Sequence, residues 1–109
     1  HIMKKAVIPS PLTQRVLQDL AANVQLARLR RGLSLRLVSE RSGISANTLM
    51  ALEKGSSGTS LGVLINVLHV LGLAQDISLI AKDDQVGRAL QDLGLKNRKR
   101  APKQTSQKT

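Results

Sequence analysis

The chain has 109 residues, with no cysteine and no Phe, Tyr or Trp, and its 17 Lys and Arg outweigh 7 Asp and Glu to give a formal net charge of +10. That length holds one domain plus tails, the lack of cysteine removes disulfides and thiolate metal sites, and the lack of aromatics removes the base-stacking platforms of single-strand binders. The positive balance favours a polyanionic partner through counterion release, and no apolar run approaches the ~20 residues of a membrane span, so a soluble cytoplasmic, nucleoid-associated protein is expected.

His1-Ile2-Met3 reads as a cloning remnant, and residues 1–9 as a flexible N-terminus. Ser10-Pro11 is a helix start, with serine as the cap and proline where its missing N–H is harmless. A long helix is expected to Arg31, with Leu12, Val16, Leu20, Val24 and Ala27 recurring at three and four residues and Leu17 and Ala21 widening that stripe. Gly32 ends it. Arg28, Arg30 and Arg31 crowd its last turn, where a helix C-terminus favours cations; for Arg30 and Arg31 this reading and phosphate contact stay equally open.

Ser34 to Gly55, SLRLVSERSGISANTLMALEKG, reads as two short helices joined by a sharp turn. Ser34 and Ser45 are N-caps, and Gly43 and Gly55 can take the left-handed conformation that ends a helix. Helices of about eight residues are marginal alone in water, so they need a partner surface. Val38, Ile44, Leu49 and Leu52 supply it, with the small Ser39 at the close crossing.

This stretch resembles the helix-turn-helix of the Cro/C1 (XRE) repressor family, with Val38, Ser39, Gly43, Leu49 and Leu52 at its framework positions. The likeness extends over roughly Pro11 to Leu73. It implies that Arg28 and Glu53 form an internal structural ion pair. Two residues depart from the family pattern: Ser39 stands for an alanine, and Leu35 for a glutamine that touches the DNA backbone in some members.

After a polar turn over Ser56–Thr59, the stretch LGVLINVLHVLG is apolar on nearly all sides. Such a helix needs burial on two faces: one against the motif, the other against a second copy, with Leu68 and Leu71 at the interface. His69 has no second ligand or carboxylate at helical spacing, so a buried or interface histidine is expected rather than a metal ligand or a base. Asp76 to Ile80 alternates like a short strand, which is expected to pair with its twin across the dimer through Ile77 and Leu79. Asp83-Asp84 then start a last short helix with Val86, Ala89, Leu90 and Leu93 on one face and Gly94 as its stop. Residues 95–109 form a basic tail with six of the 17 positive side chains and no acid, leaving eleven against seven before it; too little apolar surface there offsets the entropy of ordering, so disorder is expected.

The whole is therefore expected to be all-α: a five-helix domain over residues 10–94 with one short C-terminal strand pairing across a dimer. This order of elements is similar to the HipB-type antitoxins. That resemblance implies a homodimer that binds its own operator and a HipA-like kinase toxin, with no cofactor.

In the helix-turn-helix reading the second motif helix enters the major groove. Its position makes Ser45, Ala46, Asn47 and Met50 candidates for base contacts. Asn47 is the best reader, because an amide can bond bidentately to adenine. Ser34, Arg36, Arg41, Thr48, Lys54 and Ser57 are candidates for phosphate contacts. So few base readers imply that backbone contacts and DNA deformability supply much of the binding. The sequence expectation is a sequence-specific repressor of double-stranded DNA, with a plain regulator without a toxin, or a protein-interaction module with non-specific nucleic-acid binding, as alternatives. Nothing in the sequence pairs a nucleophile with a base or gathers metal ligands, so an enzyme is not expected.

Overall fold

The computed structural model describes residues 7–94, so the cloning remnant and the basic tail lie outside the described residues. The described residues divide into two compact units, one ending at Ile77 and the other beginning at Ser78. All regular structure among the described residues is helical: α1 (Pro11–Arg30), α2 (Leu35–Ser42), α3 (Ala46–Glu53), α4 (Leu61–Leu71), a 3-10 helix (Ala74–Leu79) and α5 (Gln85–Asp92). None of these helices is long and apolar enough to cross a membrane.

Local chemistry sets the boundaries. Ser10, Ser34, Ser45 and Ser60 each accept the backbone N–H three residues on, from Thr13, Leu37, Thr48 and Val63. Each such cap contributes about 1 kcal/mol by pairing a donor that the first helical turn leaves open. α2 stops at Gly43, whose φ of 73° suits glycine alone at no steric cost.

In the first unit, α3 and α4 pack on α1, and α2 packs on α3 and α4. Val38, Leu49 and Val67 are its deepest side chains, one from each of the three shorter helices, and Val24, Ala27, Leu52, Leu64, Leu68 and Leu71 complete the core. Burying a side chain of this size contributes about 1.5–3 kcal/mol, which is what holds helices too short to persist alone. The apolar stripe of α1 serves only in part. Ala21, Val24 and Ala27 are buried, but Leu12 and Val16 are exposed, because the helices packed against α1 do not reach its first two turns.

The tight turn between α2 and α3 is held by serines. The Ser39 hydroxyl donates to the Ile44 carbonyl, and that of Ser42 to the Val38 carbonyl at 2.6 Å while accepting from the Ile44 N–H at 3.3 Å. Ser39 thus satisfies a backbone acceptor that alanine would leave to water. Leu35, the other departure, packs half-buried against the core.

Arg28 and Glu53 lock the end of α1 to the end of α3. The guanidinium donates twice, Nε to Oε2 at 2.7 Å and Nη2 to Oε1 at 2.9 Å, and its Nη1 donates to the Leu33 carbonyl at 2.9 Å. Their side chains are only 8% and 5% exposed. The hydrogen bonds that Arg28 donates to Glu53 outweigh burial and raise its pKa above its already high ordinary value, so the guanidinium stays a cation. A second tie joins the same helices. Gln18 Nε2 donates to the Lys54 carbonyl at 3.1 Å, beside Gly55, whose φ is 84°.

The expected strand is absent: Asp76 to Ile80 begins within the 3-10 helix. After Gly72 turns left-handed, the Leu73 N–H returns to the Leu68 carbonyl at 2.8 Å and the Asp76 N–H to the Leu73 carbonyl at 3.1 Å. Local turns thus satisfy backbone groups that a lone strand would leave without an edge. Ile77 packs half-buried against its own core, and Leu79 is exposed. Leu68 and Leu71, expected at a dimer interface, are 6% and 3% exposed within the core of their own unit, because α4 is the wall on which α2 packs. The outer side of α4 carries Leu61, Gly62, Asn66 and His69, all exposed, so His69 is not a core residue.

Glu53→Ala is expected to lower unfolding stability by about 3–5 kcal/mol in urea titration, since it strands a buried cation, whereas Arg28→Met with Glu53→Leu should recover most of that loss. A double variant as unstable as the single one refutes the ion pair as the cause. Gly55→Ala is expected to cost about 1–2 kcal/mol, because its φ is left-handed and the added Cβ would stand 2.8 Å from Gln18 Nε2; an unchanged thermal midpoint contradicts this.

Candidate nucleic-acid interface

α3 has two faces of opposite character. Leu49 and Leu52 point into the core, while Ala46, Asn47, Met50 and Lys54 are exposed. At 3.6 residues per turn those four fall within about a third of the helix circumference, so one outward face carries them all. It offers a methyl, an amide, a thioether and an ammonium. The amide of Asn47 is the one group there able to donate and accept at once, which is what the major-groove edge of adenine requires.

Ser45 is committed to structure. Its hydroxyl donates to Thr48 Oγ1 at 2.9 Å and accepts from the Thr48 N–H at 3.2 Å, so its one hydrogen is already used within the cap. Thr48 receives that bond and keeps its own hydroxyl hydrogen, half-buried at the edge of the face. Ser57, placed among the phosphate contacts on sequence, is likewise engaged: its hydroxyl donates to the Val7 carbonyl at 2.6 Å and ties the N-terminal segment to the loop after α3. A contact from Ser57 to a phosphate has to break this bond. Sequence spacing could not show it, since the partners are 50 residues apart.

The remaining cations are spread. Ser34 accepts from the Leu37 N–H at 3.0 Å and keeps a hydrogen to donate. Arg36 faces Glu40 at 3.4 Å, both exposed, which offsets part of its charge. Arg41 is exposed, and five residues of helix turn it well away from Arg36, so the two do not share a face. Arg31 donates to the Ala27 carbonyl at 2.8 Å, the helix-end role, while Arg30 is exposed. Lys54 is exposed at the end of α3, with its carbonyl held by Gln18.

The sequence reading missed one feature. Beside Asn47 lies a hollow of about 280 Å³ lined by Asn47, Thr48, Ala51, Ser56, Gly58 and Thr59. The hydroxyl of Thr59, one of the lining residues, is buried and has no hydrogen-bond partner among the described residues. A buried hydroxyl left so costs about 1–3 kcal/mol. Only the packing of the loop against α3 creates this, and a threonine before a capping serine gives no sign of it.

The comparisons with known proteins agree with this geometry. The family described as a helix-turn-helix domain matches residues 19–77, which span the second half of α1 through the start of the 3-10 helix. The crystal structure of the clp gene regulator ClgR from Corynebacterium glutamicum is similar, with 30% sequence identity and a TM-score of 0.52. The similarity covers 83% of this chain and 95% of that one. No curated protein matches the chain. With α2 and α3 as the paired helices and α3 presenting the outward polar face, the chain belongs to the helix-turn-helix domain family of DNA-binding proteins.

Proposed function

We propose that the protein is a non-enzymatic, sequence-specific transcriptional regulator that binds operator DNA as a homodimer, with α3 in the major groove of each half-site. The observation that carries this is the exposed face of Ala46, Asn47, Met50 and Lys54 on a helix whose opposite face, Leu49 and Leu52, is anchored in the core. A rigidly seated helix with a polar outward face is what groove readout requires. The likeness to the regulator ClgR supports the same role.

Asn47 reads a base, Ala46 and Met50 give apolar contacts, and Ser45 fixes the start of the helix. Lys54, Arg41 and Arg30 contact phosphates, as does the free hydroxyl hydrogen of Ser34. The narrower reading as a HipB-type antitoxin with a kinase-toxin partner leaned on a strand between residues 76 and 80. With a 3-10 helix there, the proposal stands at the broader regulator.

Selection of bound duplexes from random DNA tests the role. Enrichment of paired half-sites one or more helical turns apart, about 34–36 Å each, supports it, whereas recovery of unrelated sequences overturns it. On the selected site, Asn47→Ala is expected to weaken binding about 10-fold to 100-fold while leaving bulk DNA binding unchanged at the same salt concentration; equal losses on both DNAs remove Asn47 as a reader. Lys54→Ala should reduce the slope of log affinity against log salt by about one, and Ser57→Ala should leave that slope unchanged, because its hydroxyl is held by Val7. A reduced slope for Ser57→Ala returns it to the phosphate contacts.

A further inference from the structure

The outward face of α3 carries a chemistry that groove reading does not use. The chain has two methionines, Met3 and Met50, and no cysteine or aromatic residue. Met3 lies outside the described residues, whereas Met50 stands on that face and is 38% exposed. Its own helix gives it no cover. Leu49 and Leu52 go into the core on the other side, and its neighbours one turn away, Ala46, Asn47 and Lys54, are themselves exposed. A thioether sulfur has free lone pairs and takes up no proton at ordinary pH. Unlike a thiol it needs no lowered pKa to react with an oxidant, so access decides.

We propose that Met50 is an oxidation site through which a peroxide keeps the free protein from its operator. A sulfur lone pair attacks one oxygen of hydrogen peroxide and the O–O bond breaks. Sulfur gains that oxygen and gives up two electrons, and the proton on the transferred oxygen goes to the departing hydroxide, which leaves as water. The product is a sulfoxide, polar where the thioether was apolar and able only to accept hydrogen bonds.

Position turns this chemistry into regulation. An apolar contact in the major groove meets a thymine methyl, and O4, O6 and N7 beside it are acceptors, so the new oxygen gives up water there without gaining a donor. The fold is not at stake, because the side chain points away from the core that Leu49 and Leu52 anchor. Competition is low as well: without cysteine, Trp or Tyr, Met3 is the one other side chain of comparable reactivity. A duplex seated on α3 covers the sulfur, so the unbound protein is the form that reacts.

This inference rests on the proposed reading of α3, and its test separates the two. The full chain is treated with hydrogen peroxide, and peptide masses, helical circular dichroism and binding to the selected duplex are followed together. Met50 is expected to gain about 16 Da at a rate no more than about 10-fold below that of free methionine. Affinity for the selected duplex should then fall about 10-fold or more with the circular dichroism unchanged, and methionine sulfoxide reductase should restore it. Met3→Leu should respond as the wild type does, while peroxide should leave the affinity of Met50→Leu where it stood before treatment. A slower reaction, a smaller fall, a fall that tracks lost helix, or the same fall in Met50→Leu overturns the proposal and leaves the reading of α3 in place. An untreated protein that selects no DNA sequence overturns both.

Discussion

A helix of eight residues cannot hold its own shape, and everything around α3 answers that constraint. Its inner side is seated by Leu49 against Val38 and Val67, contributed by the helices on either side of it in sequence. Its start is closed by Ser45, and its end is held twice from α1, through the bidentate pair of Arg28 with Glu53 and the bond from Gln18 to the Lys54 carbonyl. The ties are polar and directional whereas the seat is apolar and not directional. The core therefore supplies most of the free energy, and the two ties set the angle at which α3 leaves the body.

Fixing the helix from both ends has a consequence for recognition. Groove readout depends on placing a few side chains within a fraction of an ångström, and only Asn47 on the outward face has the amide geometry for a bidentate base contact. Under the proposed function, a site with one strong reader draws much of its affinity from phosphates, so small rotations of α3 would disperse both terms at once. The buried Arg28 is suited to that task because its planar fork, locked to Glu53 and to the Leu33 carbonyl, leaves no rotational freedom. The same economy explains the serines of the turn. Ser39 and Ser42 close carbonyls that the change of direction exposes, and a turn whose polar groups are satisfied does not fray.

The two units divide labour by chemistry. The first buries its aliphatic residues in one core and presents a polar helix face, as a member of the helix-turn-helix domain family does. The second keeps its apolar side chains in the open, on a helix with mixed and nearly balanced charge.

Much of this was legible in the order of residues. Serine before and glycine after an apolar run bound a helix by local backbone chemistry, so Ser10, Ser34 and Ser45 with Gly43 located three helices, and the helical spacing of Val38, Leu49 and Leu52 found the core side of the motif. The pairing of Arg28 with Glu53 was legible only through the resemblance, because 25 residues separate the partners. Packing decided what local patterns leave degenerate. Leu12 and Val16 continue the stripe of α1 yet stay exposed, and Leu68 and Leu71 fit an interface as well as a core until α2 is laid against them. Asp76 to Ile80 alternates like a strand but finds no edge and winds into a 3-10 turn, and the hydroxyl of Ser57 is claimed by a carbonyl 50 residues away. Periodicity fixes which residues share a side of an element; only the folded chain supplies the surface that side meets, and with it the difference between buried, bonded and free.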